Sequence, residues 1–285
     1  MKLSYAGAVP LVAALLLCAS GCSVINNIRA KSELNDGARA YGAGHFSEAQ
    51  DHFQKALEFN PEQKNAPFFI ARSIHAQYKP GVDAPDNMAK ATSAIEAYQK
   101  VLEQDPNNEE AYKAVASLYG TLKEEDKQTD WIMQRASNSN APPDKRSDAY
   151  TYLASAKATC SNTITELPAN KPVVQKDGKT QVQYRKPQDP KDFDKAMQCT
   201  TEGMELVSKA LGLDANNETA WSAKTALLRE MSKLAEMQGD AAKKNDYSKQ
   251  AEEAQQETAR LNKENQDKED AKKKEEAKKS SSPDS

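Results

Sequence analysis

Small and apolar residues recur every three or four positions along most of the chain, which is the spacing of helices with one buried face. In the segment AIEAYQKVLEQDP, Ala94, Tyr98 and Val101 fall on one side of a helix, and Pro106 follows. Proline cannot continue a helix, so the pattern predicts a helix that ends before Pro106. The chain is rich in Ala, Lys and Glu, which favour helix, and its aromatic content of 6% is low for a β-sandwich or barrel.

The same combination of small residues and a terminal proline occurs more than once. Ala49 and Ala56 precede Pro61 in an early copy, and the interval from Val101 to Ala136 in later copies is 35 residues. Side chains no larger than that of Ala allow two helices to cross closely. The pattern resembles the tetratricopeptide repeat (TPR), which is a pair of antiparallel helices with a period of about 34 residues.

The resemblance covers residues 30–261 and implies an all-α fold, a TPR-like solenoid of about five helical hairpins. The fourth hairpin is split, with predicted helices over 148–161 and 193–211, and the fifth begins at Asn216 and matches the repeat least well. The last unit of a repeat array is a cap, and such units are expected to be atypical. A helical bundle without repeats is the alternative architecture.

Two insertions and a tail depart from a plain array. The first insertion, at about 79–90, is rich in Pro, Gly and Asp, and the second spans about 166–190. Inside the second, Asp177-Gly178 stands between β-forming runs, which is a strong signal for a β-hairpin. The tail, 262–285, mixes charges with almost no apolar residue and is expected to be helical at first and then largely disordered.

The N-terminal residues indicate export. One basic residue, an apolar run and small residues make 1–21 a signal peptide. Gly21-Cys22 resembles a bacterial lipobox, in which the cysteine is acylated, and 22–29 would then be an anchor linker. The class implies attachment to the cell envelope, and Ser23, in place of an inner-membrane Asp signal, favours the outer membrane facing the periplasm. The alternative is an ordinary signal peptide with incidental cysteines.

Two further cysteines, Cys160 and Cys199, flank the second insertion. In an oxidising compartment an even pair of cysteines can form a disulfide. A bond between them would clamp the stem of the insertion. The alternative is that both are inert buried thiols.

Composition and motifs argue against several classes of function. The mean hydropathy of −0.84 excludes a protein with many membrane spans, and a net charge of −3 gives no general attraction to nucleic acid. The three histidines, His45, His52 and His75, make no zinc motif, and the sequence contains neither a serine-hydrolase elbow nor a phosphate loop. We therefore expect no enzymatic activity, no cofactor and no metal site.

The resemblance implies a concave groove lined by the first helix of each hairpin. Its positions fall on Lys31, Leu34, Ala38 and Tyr41 in the first hairpin and on Asn65, Phe68, Arg72 and His75 in the second. Aromatic rings beside Arg and His could hold an extended peptide or a partner helix. The alternative is that these side chains only contact the neighbouring hairpin.

These observations lead to two hypotheses about function. The first is a lipid-anchored, periplasm-facing TPR scaffold that binds other envelope proteins or peptides, similar in organisation to the TPR lipoprotein of the β-barrel assembly machinery or to pilus-assembly pilotins. The second is an accessory subunit that binds cell-wall enzymes or peptidoglycan through the second insertion. A shared fold does not decide between them.

Overall fold

The structure is a computed structural model that describes residues 9–176 and 178–281, with side chains described over 23–175 and 178–276. The start of the predicted signal peptide (1–8), Asp177 of the predicted turn and the end of the tail (282–285) lie outside the described residues, as does the Cys22 side chain. Within the described ranges the chain forms helices and one antiparallel β-hairpin, which confirms the all-α prediction with a small hairpin. The elements are α1 (Val9–Gly42), α2 (Phe46–Phe59), α3 (Ala66–Gln77), α4 (Pro85–Gln104), α5 (Glu109–Thr121), α6 (Glu125–Ser137), α7 (Pro143–Thr165), β1 (Val173–Lys176), β2 (Lys179–Val182), α8 (Pro190–Leu213), α9 (Glu218–Gln238) and α10 (Ala241–Ser281).

The chain divides between Gln128 and Thr129 into two compact units. In the first unit each helix from α1 to α4 contacts the next helix along the chain. A loop of only three residues, 43–45, joins α1 to α2, so these two helices are antiparallel neighbours. This order of contacts is that of successive helical hairpins, as the repeat predicts.

Small residues lie where the helices of the first unit meet. Gly37 of α1 faces Phe53 of α2, and a Cβ added at Gly37 would come within 2.7 Å of the Phe53 ring. Eight alanines in this unit are completely buried: Ala30, Ala49, Ala56, Ala66, Ala71, Ala91, Ala94 and Ala111. The helices therefore approach closely along surfaces with almost no side-chain bulk.

The helix boundaries follow from capping residues. The side chains of Asn108 and Asn217 accept backbone N–H groups of Ala111 and Ala220, each at 3.0 Å, and so cap α5 and α9. The predicted insertion at 79–90 is shorter than expected, because α4 already begins at Pro85. Proline suits a first helical turn, where its missing N–H leaves no hydrogen bond unmade.

The second unit is built on α7, α8 and α9, which contact one another, with α10 against α9. Its core includes Ile164, Phe193 and Leu234, one from each of the three helices. The hairpin β1–β2 lies between α7 and α8 in sequence, as the split fourth unit predicts. Val173 pairs with Val182, and Lys176 pairs with Lys179 at the tip.

Both ends of the described chain are helical. The predicted linker 22–29 lies within α1. The tail, predicted to be helical at first and then largely disordered, is helical in α10 as far as Ser281. The tail is rich in Lys and Glu, which have high helix propensity, and this outweighs its lack of buried surface. No helix in the described part of the chain has a stretch long and apolar enough to cross a membrane.

Gly203 and Gly212 of α8 provide a matched test of the close helix crossings. A Cβ at Gly203 would lie 2.4 Å from Leu227 Cδ2, whereas one at Gly212 meets no atom within 4 Å. We expect Gly203→Ala to lower the free energy of unfolding by about 1–3 kcal/mol through overpacking. Gly212→Ala should raise it by roughly 0.5–1 kcal/mol through helix propensity. Urea unfolding of both variants checks this, and a neutral or stabilising Gly203→Ala would contradict a close α8–α9 crossing.

Candidate functional site

An open pocket of about 300 Å³ lies in the first unit, on helices α1, α3 and α4 and the loop after α3. Three of the residues that the repeat places in its groove, Tyr41, Arg72 and His75, line this pocket. The other lining residues are Ala76, Tyr78, Pro80 and Tyr98. We call this the aromatic pocket.

Arg72 lies between two aromatic rings. Its guanidinium carbon is 5.3 Å from the centroid of Tyr41 and 5.8 Å from that of Phe68, which are cation–π distances. No carboxylate within the described ranges forms an ion pair with Arg72. The guanidinium is thus held in place by the rings while its hydrogen-bond donors remain open to an external acceptor.

His75 and Tyr98 form the other wall of the aromatic pocket. Their rings are perpendicular with centroids 5.9 Å apart, and His75 Nδ1 lies 3.4 Å from the Tyr98 hydroxyl. Burial lowers the pKa of His75, so its ring is neutral at neutral pH. Burial also raises the pKa of Tyr98, which keeps its hydroxyl protonated. The positive charge of this pocket therefore resides on Arg72.

The predicted groove residues do not all reach the aromatic pocket. Phe68 takes part through its contact with Arg72, but Lys31 is exposed elsewhere on α1, and Asn65 precedes α3 with its carbonyl accepting the Phe69 N–H at 3.1 Å. Leu34 contacts the core instead, and Ala38 is exposed. Asn65 lies before the first turn of α3, whereas Arg72 and His75 lie further along this helix.

Tyr98 is the lining residue that sequence reasoning placed differently. Its spacing assigned it to the packing face of α4, and it is indeed only 3% exposed, yet its ring also closes the pocket. Tyr78 and Pro80 come from the α3–α4 loop, which has no counterpart in the repeat pattern. Asn87 holds this loop, because its side chain bonds the backbone of Lys79 and Val82 at 2.7–2.8 Å.

In the second unit, polar side chains attach the insertion to the helices. The Tyr184 hydroxyl donates to Glu166 at 2.8 Å, and its backbone N–H donates to Glu236 at 3.2 Å. The Lys233 ammonium lies 5.3 Å from the Tyr184 ring centroid and 2.6 Å from Glu166. The segment that follows β2 is therefore fixed to the C-terminal end of α7 and to α9.

Glu230 lies at the centre of these contacts and is 3% exposed. It accepts hydrogen bonds from Ser161, Asn162 and Thr165 of α7 at 2.7–3.1 Å, and Lys233 lies 2.6 Å away. A buried carboxylate with this many hydrogen-bond partners is satisfied, which indicates a structural role.

An open cavity of about 370 Å³ adjoins Glu230. It is lined by seven residues of α7 and α9: Ala158, Thr159, Asn162, Ala226, Arg229, Glu230 and Lys233.

Cys160 of α7 and Cys199 of α8 are joined by a disulfide, with their Cα atoms 6.1 Å apart. The bond closes a loop that contains the whole insertion. Because a crosslink restricts the unfolded chain, it favours the folded state of this unit.

No set of three or more His, Cys, Asp or Glu residues in the described ranges could hold a metal ion.

The hairpin presents an exposed apolar pair and a basic charge. Val173 and Val182, which face each other across the strands, are 66% and 48% exposed. Residues 171–186 contain five basic residues and one acidic residue. The hairpin thus combines a free apolar surface with a net positive charge.

Comparisons with known proteins give weak similarities. No family model matches the chain, and no curated protein matches it. Among solved structures, a crystal structure of MamA has a TM-score of 0.39 at 15% identity over 81% of this chain and 94% of that chain. PilF of Pseudomonas aeruginosa gives 0.35 at 14% identity over 84% and 99%. The TPR2AB domain of yeast Sti1, in complex with an HSP90 peptide, gives 0.30 at 14% identity over 81% and 98%. At TM-scores below 0.5, these matches support no argument about the function of the chain.

The attachment of the insertion should depend on pH. Hydrogen bonds from Lys171, Lys233 and Tyr184 lower the pKa of Glu166 from 4.5 to about 2. A lowered folded-state pKa means that the contribution of Glu166 to stability is complete above about pH 4.5 and is lost as the pH falls toward 2. We expect Glu166→Gln to lose less stability across this range than the parent, measured by urea unfolding at a series of pH values.

The control for this prediction is Glu205→Gln on α8, an exposed carboxylate, which should keep the parental pH dependence. Equal pH dependence of the parent and Glu166→Gln would contradict the assigned role of Glu166.

Proposed function

We propose that the protein is a lipid-anchored, periplasm-facing scaffold that binds envelope proteins or peptides through the aromatic pocket. The observation that carries this proposal is the position of Arg72, clamped by Tyr41 and Phe68 and unpaired with any described carboxylate. Tyr and Arg are the residue types that most often dominate the energy of protein interfaces. A guanidinium between rings suits a peptide that brings a carboxylate or carbonyl together with an apolar side chain.

The anchor is supported by the sequence. An apolar run followed by Gly21-Cys22 supplies the signal and the acyl acceptor, and attached acyl chains would hold the protein at a membrane surface. The outer membrane is the proposed location, on the ground of Ser23 after the acylated cysteine. An anchored scaffold needs no membrane-spanning helix of its own.

We also propose that the protein acts by binding and catalyses no reaction. The strongest acidic cluster, around Glu230 and Glu166, is occupied by structural partners from α7, α9 and the insertion. Carboxylates bound in this way hold elements together and are poorly placed to exchange protons with a substrate.

Arg72→Ala tests the pocket. We expect it to reduce capture of the in-cell partners about tenfold, or roughly 1.4 kcal/mol, because it removes a central charge and its ring contacts. The measurement is crosslinking in the native host with a C-terminally tagged full-length chain, followed by quantitative mass spectrometry.

Lys55→Ala, which removes an exposed cation from α2, is the matched control and should retain partner capture. Thermal unfolding of both variants verifies that the fold persists. Partners that are equally abundant with Arg72→Ala and with the parent would overturn the assignment of the pocket as the binding surface.

A second candidate function is supported by the hairpin. Its exposed valine pair, with the excess of basic over acidic residues in 171–186, could bind a cell-wall enzyme or peptidoglycan. The disulfide and the contacts of Tyr184 fix this insertion to the helices, which lowers the entropic cost of binding through it.

Val173→Ser/Val182→Ser distinguishes the two candidates. If the hairpin is the binding surface, this variant should lose retention on purified peptidoglycan, or capture of wall enzymes, while Arg72→Ala keeps both. If the aromatic pocket is the binding surface, the hairpin variant should keep its partners. Both valines are exposed, so their replacement leaves the core intact.

A further inference from the structure

Helix α1 has an exposed apolar face in the turns that directly follow Cys22. Val24, Ile25 and Ile28 are 59%, 53% and 64% exposed. At 3.6 residues per turn these positions fall within an arc of about 100° on one side of the helix. Large aliphatic side chains grouped in this way on a surface mark an interaction site.

The orientation of this face is fixed by contacts with α2. Asn60 donates to Asn27 at 2.6 Å, and the guanidinium of Arg29 lies 5.6 Å from the centroid of Phe59. Ala30 is completely buried, and helical geometry places it about opposite the centre of the exposed arc. The apolar face therefore points away from the first hairpin and moves with it as one body.

The charged residues that follow the face along α1 are first basic. Between residues 23 and 32 the charged residues are Arg29 and Lys31, and the first carboxylate is Glu33. Lys31 lies in line with the apolar arc, two turns from Val24, and is exposed. Aliphatic side chains bordered by cations are the composition of helices that lie in the interface of an anionic bilayer.

We propose that Val24, Ile25 and Ile28 lie in the head-group region of the anionic membrane that holds the lipid of Cys22. The protein is then attached at two points, the acyl chains and this helix face, and the first hairpin has a set orientation on the membrane. This inference rests on the lipid anchor of the proposed function. The lipid surface is favoured over a protein partner because Cys22 is only two residues from Val24.

The test uses the full-length, host-processed lipoprotein with Ile28→Cys, labelled with an environment-sensitive fluorophore. Acylated Cys22 and the Cys160–Cys199 disulfide leave position 28 as the reactive thiol of the mature protein. The protein is reconstituted in vesicles of phosphatidylethanolamine and phosphatidylglycerol, with and without brominated acyl chains. Ser47→Cys, at an exposed position of α2, is the matched control.

We expect brominated lipid to cause a loss of emission at position 28 and none at position 47, and Lys31→Glu to weaken the loss at position 28. Vesicle-bound protein with no quenching at position 28 would overturn the inference and leave the anchor intact. Crosslinking between two copies at position 28, in place of quenching, would assign the face to self-association and also overturn it. A mature chain whose intact mass lacks acyl groups and that does not bind vesicles would contradict the anchor itself, and the inference with it.

Discussion

The close approach of paired helices at Ala and Gly is the constraint on which the rest of the structure depends. Where Gly37 leaves room, the Phe53 ring fits against α1 and stacks on Phe69 of α3 at 5.2 Å. Phe69 in turn contacts Phe68, whose ring lies 6.1 Å from Tyr98. A continuous series of rings thus runs from the core to the wall of the aromatic pocket, so the residues that hold the hairpins together also fix the position of Arg72.

The second unit contains a two-stranded β-hairpin that pairs with no further strand among the described residues. A two-stranded hairpin alone is only marginally stable in water. The structure compensates with the Cys160–Cys199 disulfide and with the Glu166–Lys233–Glu230 contacts. Removal of Lys233 alone would leave Glu230 buried without its cation, which is strongly unfavourable, so this network holds α7, α9 and the insertion as one set.

The helical pairs could be predicted from the sequence because their causes are local. Proline at helix starts and ends, asparagine caps and small residues at the crossings each act within a few positions. The start of α4 at Pro85 was missed because Gly, Pro and Asp together indicate a loop, although proline also favours a first turn. The tail was predicted to begin as a helix, but the length of that helix was underestimated, because a composition rich in Lys and Glu favours both solvation and helix. The site could be predicted only in part. Tyr98 contributes both to helix packing and to the pocket wall. The three α7 side chains that donate hydrogen bonds to Glu230 are 65–69 residues away along the chain, beyond the range of any local pattern.

The central claim is that these helix crossings present the aromatic pocket as a protein-binding surface. Site-specific photocrosslinking in living cells tests it most directly, with a photoreactive amino acid in place of Phe68 and, as the control, in place of Phe59 at the end of α2. The account predicts covalent adducts with a small, reproducible set of envelope proteins from position 68 and not from position 59. Adducts that are absent from position 68, or identical at both positions, would contradict it.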